Sequence, residues 1–185
     1  MDNDAQYKRL VRIGTDLLVA IGEDPDRPGL RETPERFARH WLEFMSYDAG
    51  KTDTTFESAA LDQMVVVSGI KVWSLCEHHL LPFSCEVAVG YITQEQVIGL
   101  SKIPRICHKH AHKLQLQEQL VDQIADEIVT VTGSDNVAVV GTGVHTCMTM
   151  RGIKSDGTMS SSVMRGRFKE NHHTRLEFLS LSGCR

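Results

Sequence analysis

The sequence predicts an α+β protein in which an antiparallel sheet carries helices on one side. Three observations lead there. Apolar residues recur at helical spacing near the N-terminus and again beyond residue 116. Short runs rich in Val and Ile, broken by Gly, Pro and polar residues, have the pattern of strands. The order is helices, strands, helices, strands, helix, without the strand–helix alternation of a doubly wound parallel sheet.

Taken in order, Leu10, Ile13, Leu17, Leu18 and Ile21 make one apolar face of a helix over residues 5–22. The turn EDPDRPG ends it. A second helix follows in RETPERFARHWLEFM, with Thr33 as cap, Pro34 in the first turn, and Phe37, Trp41 and Phe44 as its stripe. Residues 48–62 are small and polar and read as a linker. MVVVSGIKVWSL, CEVAVGYI and QVIGLS are strands; KIPRICHKHAH is a helix with Pro104 near its start. Leu116, Leu120, Ile124 and Ile128, four apart, define a helix to Thr132, and GSDN turns the chain. Asn136–Met150 reads as one long strand and SSSVMRGRF as another, before a short helix over 174–181. The change of pattern at Met64 divides the chain into an N-terminal helical region, residues 1–62, and a second domain, residues 63–185.

Composition narrows the function classes. The 185 residues are 41% hydrophobic and 24% charged, ordinary for a soluble globular chain. A net charge of −4 argues against a chain-wide nucleic-acid surface, so no nucleic-acid partner is expected. No apolar run reaches a membrane span, and MDNDAQYKRL lacks the apolar core of a secretory leader, so the expected setting is the cytoplasm with no membrane partner. In that reducing setting the five cysteines are thiols, open to metal or catalytic roles.

Cys76-Glu77-His78-His79 is the sharpest motif. Cys-x-x-His sets a thiolate and an imidazole within one turn, suited to two corners of a tetrahedral zinc. Cys147 is the best third ligand. On a strand His145 and Cys147 share a face, about 7 Å apart, so one can bind metal while the other handles protons. Three ligands plus water make a catalytic site; a closed structural site needs a fourth, such as Cys85 or Cys107. Otherwise Cys85, Cys107 and Cys184 are small hydrophobes, and the methionines are core fillers.

Ser101, Lys102 and Arg105 begin a helix, where free N–H groups and cations hold anions. Lys102 to Lys113 carries four bases and no acid, and Arg151 follows Cys147 by four residues. Together these suit a polyphosphate. Gln117 lies within an aliphatic stripe, where an amide needs a partner. With Glu118 it suits a guanine edge, while Glu118 alone also complements a helix N-terminus. His108, His110 and His112 alternate, which fits no single helix face, and read as an exposed or interface cluster.

Taken together, CEHH followed by LPF, then VIGLSKIPRI, LQLQEQL, GVHTCMTMRGI and TRLEFL resemble the zinc-dependent GTP cyclohydrolase I proteins of the unimodular type, over about Gly22 to Leu181. The resemblance implies a tunnelling fold for residues 63–185, with sheets joined into a barrel across subunits. It implies a homo-oligomer, usually a decamer of two pentamers, with sites at subunit interfaces. The implied reaction turns GTP and water into formate and 7,8-dihydroneopterin triphosphate, the first step of tetrahydrofolate or pterin biosynthesis. By the same resemblance Cys76, His79 and Cys147 would hold Zn2+, and His78 and His145 would handle protons. Gln117 and Glu118 would hold the guanine edge. Lys102, Arg105 and Arg151 would hold the triphosphate and ribose end, with Ser101 as a relay near the sugar. Two other readings use fewer of these residues: a hydrolase that stops at the ring-opened formamidopyrimidine nucleotide, and a non-catalytic zinc-stabilised assembly protein. HKHAHK, with Lys113 in place of a common arginine, and Arg165 and Arg167 in SVMRGRF depart from the family pattern.

Overall fold

The computed structural model describes residues 3–183 and divides into two compact units, residues 1–47 and 48–185. The first unit pairs α1 (Asn3–Ala20) with α2 (Thr33–Met45). The second contains β1 (Thr55–Glu57), β2 (Met64–Cys76), β3 (Pro82–Ile92), β4 (Gln96–Ile98), α3 (Lys102–Ala111), β5 (Leu114–Gln115), α4 (Gln117–Thr132), β6 (Val137–His145), α5 (Thr146–Thr149), β7 (Met159–Met164), α6 (Arg167–Glu170) and α7 (His172–Ser182). Among the described residues no helix is long and apolar enough to cross a membrane.

The architecture is α+β, as expected. A five-stranded sheet runs in the order β5-β2-β3-β6-β7, antiparallel except where the two residues of β5 lie parallel to β2. Alternation along β3 sorts its side chains. Val87, Val89 and Tyr91 face a core with Ile103, Ile106, Leu120, Ile124 and Ile128 of α3 and α4. Ala88 and Ile92 face the other way, onto Phe168 and Phe178. Thus α3 and α4 cover one face, and α7 adds a cover at the opposite face. Gly90 permits this approach, because a Cβ there would lie 2.6 Å from the Phe178 ring.

Three elements differ from the sequence expectation. Residues 48–62 are not all linker: Thr55–Glu57 pairs with Gln96–Ile98 as a second, two-stranded sheet. The strand expected over 136–150 stops at His145, and Thr146–Thr149 turns into one helical turn. His145 and Cys147 are therefore not brought together by strand alternation. The last expected strand ends at Met164, with Arg167–Glu170 helical. The two unusual arginines tie this corner down: Arg165 bonds Asp122 and Asp126 on α4, and Arg167 bonds Asp62.

His110 belongs to a network rather than an open surface cluster. Glu127 of α4 accepts from Lys109, from Thr52 at 2.8 Å, and from His110 Nε2 at 2.7 Å. Burial pushes the Glu127 carboxyl up, but hydrogen bonds from Lys109, Thr52 and His110 outweigh it and hold the carboxyl below its ordinary range. Burial also pushes His110 down despite Glu127, so near neutrality the imidazole donates largely uncharged. The depressed carboxyl contributes stability above the ordinary carboxylate range, which is lost as pH falls through the folded value. Replacing Glu127 with Ala leaves three donors without their acceptor. The expected cost is about 1–3 kcal/mol, read as a lower denaturant midpoint at neutral pH; an unchanged midpoint would contradict the network's role.

Candidate metal and catalytic site

Strand register assembles the site at one end of the sheet. β2 ends at Cys76, and Leu75 stands opposite Pro82 at the start of β3. Phe83 stands opposite His145 at the end of β6. Gln115 pairs with Cys76, which places the N-terminus of α4, with Gln117 and Glu118, at that same end. The link from β2 to β3 is tight. Cys76 N–H donates to the Leu81 carbonyl, and the N–H groups of His79 and Leu80 donate to the Cys76 carbonyl. Leu80 adopts a left-handed φ of 56° to close it, a conformation that costs a non-glycine residue about 1–2 kcal/mol. That turn exposes His78 and His79 beside the buried Cys76.

The ligand atoms of Cys76, His79 and Cys147 lie within 4.8 Å of one another. Cys76 Sγ and His79 Nδ1 are 3.8 Å apart. Sulfur and nitrogen ligands of a tetrahedral zinc, at bond lengths of about 2.0–2.3 Å, stand roughly 3.5–3.8 Å from each other, so the donors fit a metal ion with little movement. The Cys147 thiol is pushed up by burial, then by the hydrogen bond and charge of Cys76, against the opposing charge of Arg151. Among the described residues this group has three members. Cys85 and Cys107 sit in the helix-facing core with thiols pushed up to about 12 by burial, as inert side chains. The donor set therefore leaves a fourth position open.

Beside this cluster His145 is held on two sides. Its ring stacks on Phe83 at 4.5 Å and 8°, and its Nε2 meets Gln117 Oε1 at 2.9 Å. Burial lowers its pKa, and the charge of Glu118 opposes this. Glu118 is exposed in the first turn of α4. Gln117, expected to face a ligand, is instead 1% exposed. Its Nε2 lies 3.0 Å from the Gly141 carbonyl, 3.0 Å from the Met159 carbonyl and 3.1 Å from Ser161 Oγ. Arg151 donates to His79 Nε2 at 2.9 Å, beside the thiols.

The other anion-binding candidates lie elsewhere. Ile98 N–H donates to the Tyr91 hydroxyl, and Tyr91 is eight residues along β3 from Phe83, about 26 Å. Helix α3 starts from that far end and returns to the near one, where Ser74 Oγ donates to the Lys113 carbonyl. Ser101, Lys102 and Arg105 are in its first turn, with Arg105 donating to the Ala49 carbonyl at 2.6 Å. One chain thus joins Cys76, His78, His79, His145, Cys147, Gln117, Glu118 and Arg151, but not Ser101, Lys102 and Arg105. Phe83 is the residue whose role was not readable from sequence. Its motif LPF flanks CEHH, but only the register shows that it meets His145.

A helix-backed antiparallel sheet, with a two-thiol, one-imidazole metal cluster and a histidine beside it, defines a metal-dependent α+β enzyme class. Comparison narrows it. Residues 12–183 match the family model described as GTP cyclohydrolase I. A protein named GTP cyclohydrolase 1 1 from Pseudomonas syringae pv. tomato is 46% identical over 174 residues, 91% of this chain and 92% of its own length. GTP cyclohydrolase 1 from Hyperthermus butylicus is 45% identical over 94% of this chain and 88% of its own. A weaker likeness, at TM-score 0.42 and 15% identity over 57% of this chain and 95% of the other, is to a solved archaeosine synthase QueF-Like in the apo form. The chain belongs to the GTP cyclohydrolase I family.

Titration with Co2+ tests the donor set. Thiolate-to-cobalt absorption is expected in the native chain and in His145→Ala, and is expected to vanish in Cys76→Ser and Cys147→Ser. Full absorption in either cysteine variant would remove that residue from the site.

Proposed function

We propose that this chain converts GTP and water to formate and 7,8-dihydroneopterin triphosphate, with zinc held by Cys76, His79 and Cys147. The observation that carries this is the convergence of that donor set with His145 and Glu118 at one sheet end. Two thiolates and an imidazole suit zinc, and three protein ligands suit a catalytic rather than a structural ion. Bound zinc supplies Lewis acidity that brings the pKa of water toward neutrality. The chain's own groups do the rest. Glu118, at the positive end of α4, accepts from the N–H edge of guanine and places carbon 8 at the metal end. His145 and His78 exchange protons with the imidazole nitrogens as the ring opens and formate leaves.

Arg151 links metal binding to substrate binding. A guanidinium only donates, so its bond to His79 requires a lone pair on Nε2. A metal held through His79 Nδ1 would favour a protonated Nε2, and Arg151 would then be free to meet the triphosphate. Ser101, Lys102 and Arg105 lie at the start of α3, the end that meets the far end of β3. A site that uses them is completed by the far end of a neighbouring copy, so the active form is a homo-oligomer with sites between subunits. Closed rings such as two stacked pentamers satisfy this head-to-tail contact.

Mass spectrometry of GTP incubated with the zinc-loaded protein is expected to show dihydroneopterin triphosphate and formate. A ring-opened nucleotide alone would favour the partial hydrolase, and untouched GTP the assembly protein. His145→Ala and Arg105→Ala are each expected to be inactive alone and to regain activity when unfolded, mixed and refolded together. Failure of the mixture, with both variants folded, would place the two ends in separate roles.

A further inference from the structure

Resting on that function, we infer that Gln117 is a positioning residue that fixes the tautomer of His145, so that His145 exchanges its proton through Nδ1. The Gly141 and Met159 carbonyls only accept, and both lie 3.0 Å from one end of the Gln117 amide. That end must be the NH2 group, since the reverse assignment would set an oxygen against two oxygens. The end facing His145 is therefore the carbonyl oxygen, which only accepts. His145 Nε2, 2.9 Å away, must carry the hydrogen. The neutral ring then keeps its lone pair on Nδ1.

The surroundings hold this arrangement in place. Gln117 is 1% exposed, so loss of any of these bonds leaves a buried polar group unpaired. The amide reaches His145 through a gap that only glycine leaves, because a Cβ at Gly143 would overlap Gln117 Oε1. Phe83 fixes the ring plane by stacking at 8°. Two acceptors on β6 and β7, one absent side chain on β6 and one aromatic ring on β3 thus set a single nitrogen. Among the described residues Nδ1 has no hydrogen-bond partner. Glu118 stays exposed in the first turn of α4, and its charge acts on His145.

Two measurements test this. Solid-state 15N NMR of histidine-labelled, zinc-loaded protein, with the His145 signal assigned by its loss in His145→Ala, is expected to show protonated Nε2 and bare Nδ1 at neutral pH. A His145 protonated at Nδ1 instead would overturn the inference. This readout needs no turnover, so it stands apart from a failure of the GTP reaction. In Gln117→Met, which keeps the volume and removes the acceptor, kcat is expected to fall about 10- to 100-fold, with KM and zinc content held and the His145 tautomer changed. A raised KM with kcat retained would mean that Gln117 reads the guanine directly and would overturn the positioning role, as would unchanged kinetics. If the variant does not fold, the tautomer in the native chain still decides.

Discussion

Two backbone registers decide where every reactive group lies. Antiparallel pairing sets Phe83 opposite His145, and a parallel pairing of only two residues sets Gln115 beside Cys76. The first brings the end of β6 to the start of β3. The second carries the N-terminus of α4 to the end of β2. A slip of one residue in either strand would send its side chains to the opposite face of the sheet. It would separate His145 from Gln117 and Cys147 from Cys76 together. The large helix-facing core, from Ile70 to Val139, is what holds the register against such slips.

The metal end combines a left-handed turn residue, Leu80, with two close thiols and a guanidinium bonded to an imidazole. A metal held by Cys76, His79 and Cys147 would take the place of the thiol protons and would compete with Arg151 for His79. The same sheet end therefore gathers the thiols, the imidazoles and Glu118, while Lys102 and Arg105 lie at the start of α3, toward the far end of β3. That separation is the physical reason to expect a shared site between copies.

Much of this was legible in the sequence. Helical spacing placed α1, α2 and α4, and Val-rich runs placed β2 and β3. Cys-x-x-His and the VHTC segment pointed to Cys76, His79 and Cys147, the three residues whose ligand atoms the fold brings within 4.8 Å of one another. Two kinds of information were not legible. The bend after His145 comes from tertiary context, because Thr146 turns to donate to the Pro82 carbonyl, and no local breaker marks it. The direction of Gln117 was also hidden. An amide on an apolar stripe needs a partner, but the sequence could not say whether a ligand or the protein supplies it. The acceptors at Gly141 and Met159 are set by β6–β7 pairing, 24 and 42 residues away. Likewise Arg165 and Arg167 read as departures, and only the fold shows them as clamps onto Asp122, Asp126 and Asp62.

X-ray absorption at the zinc edge of the metal-loaded native chain tests the central claim most directly. The account predicts two sulfur ligands at about 2.3 Å with one imidazole nitrogen and one light atom in the open position. A shell of four sulfurs, or one without sulfur, would contradict it. The first would draw Cys85 or Cys107 out of the core, and the second would place the ion away from Cys76 and Cys147.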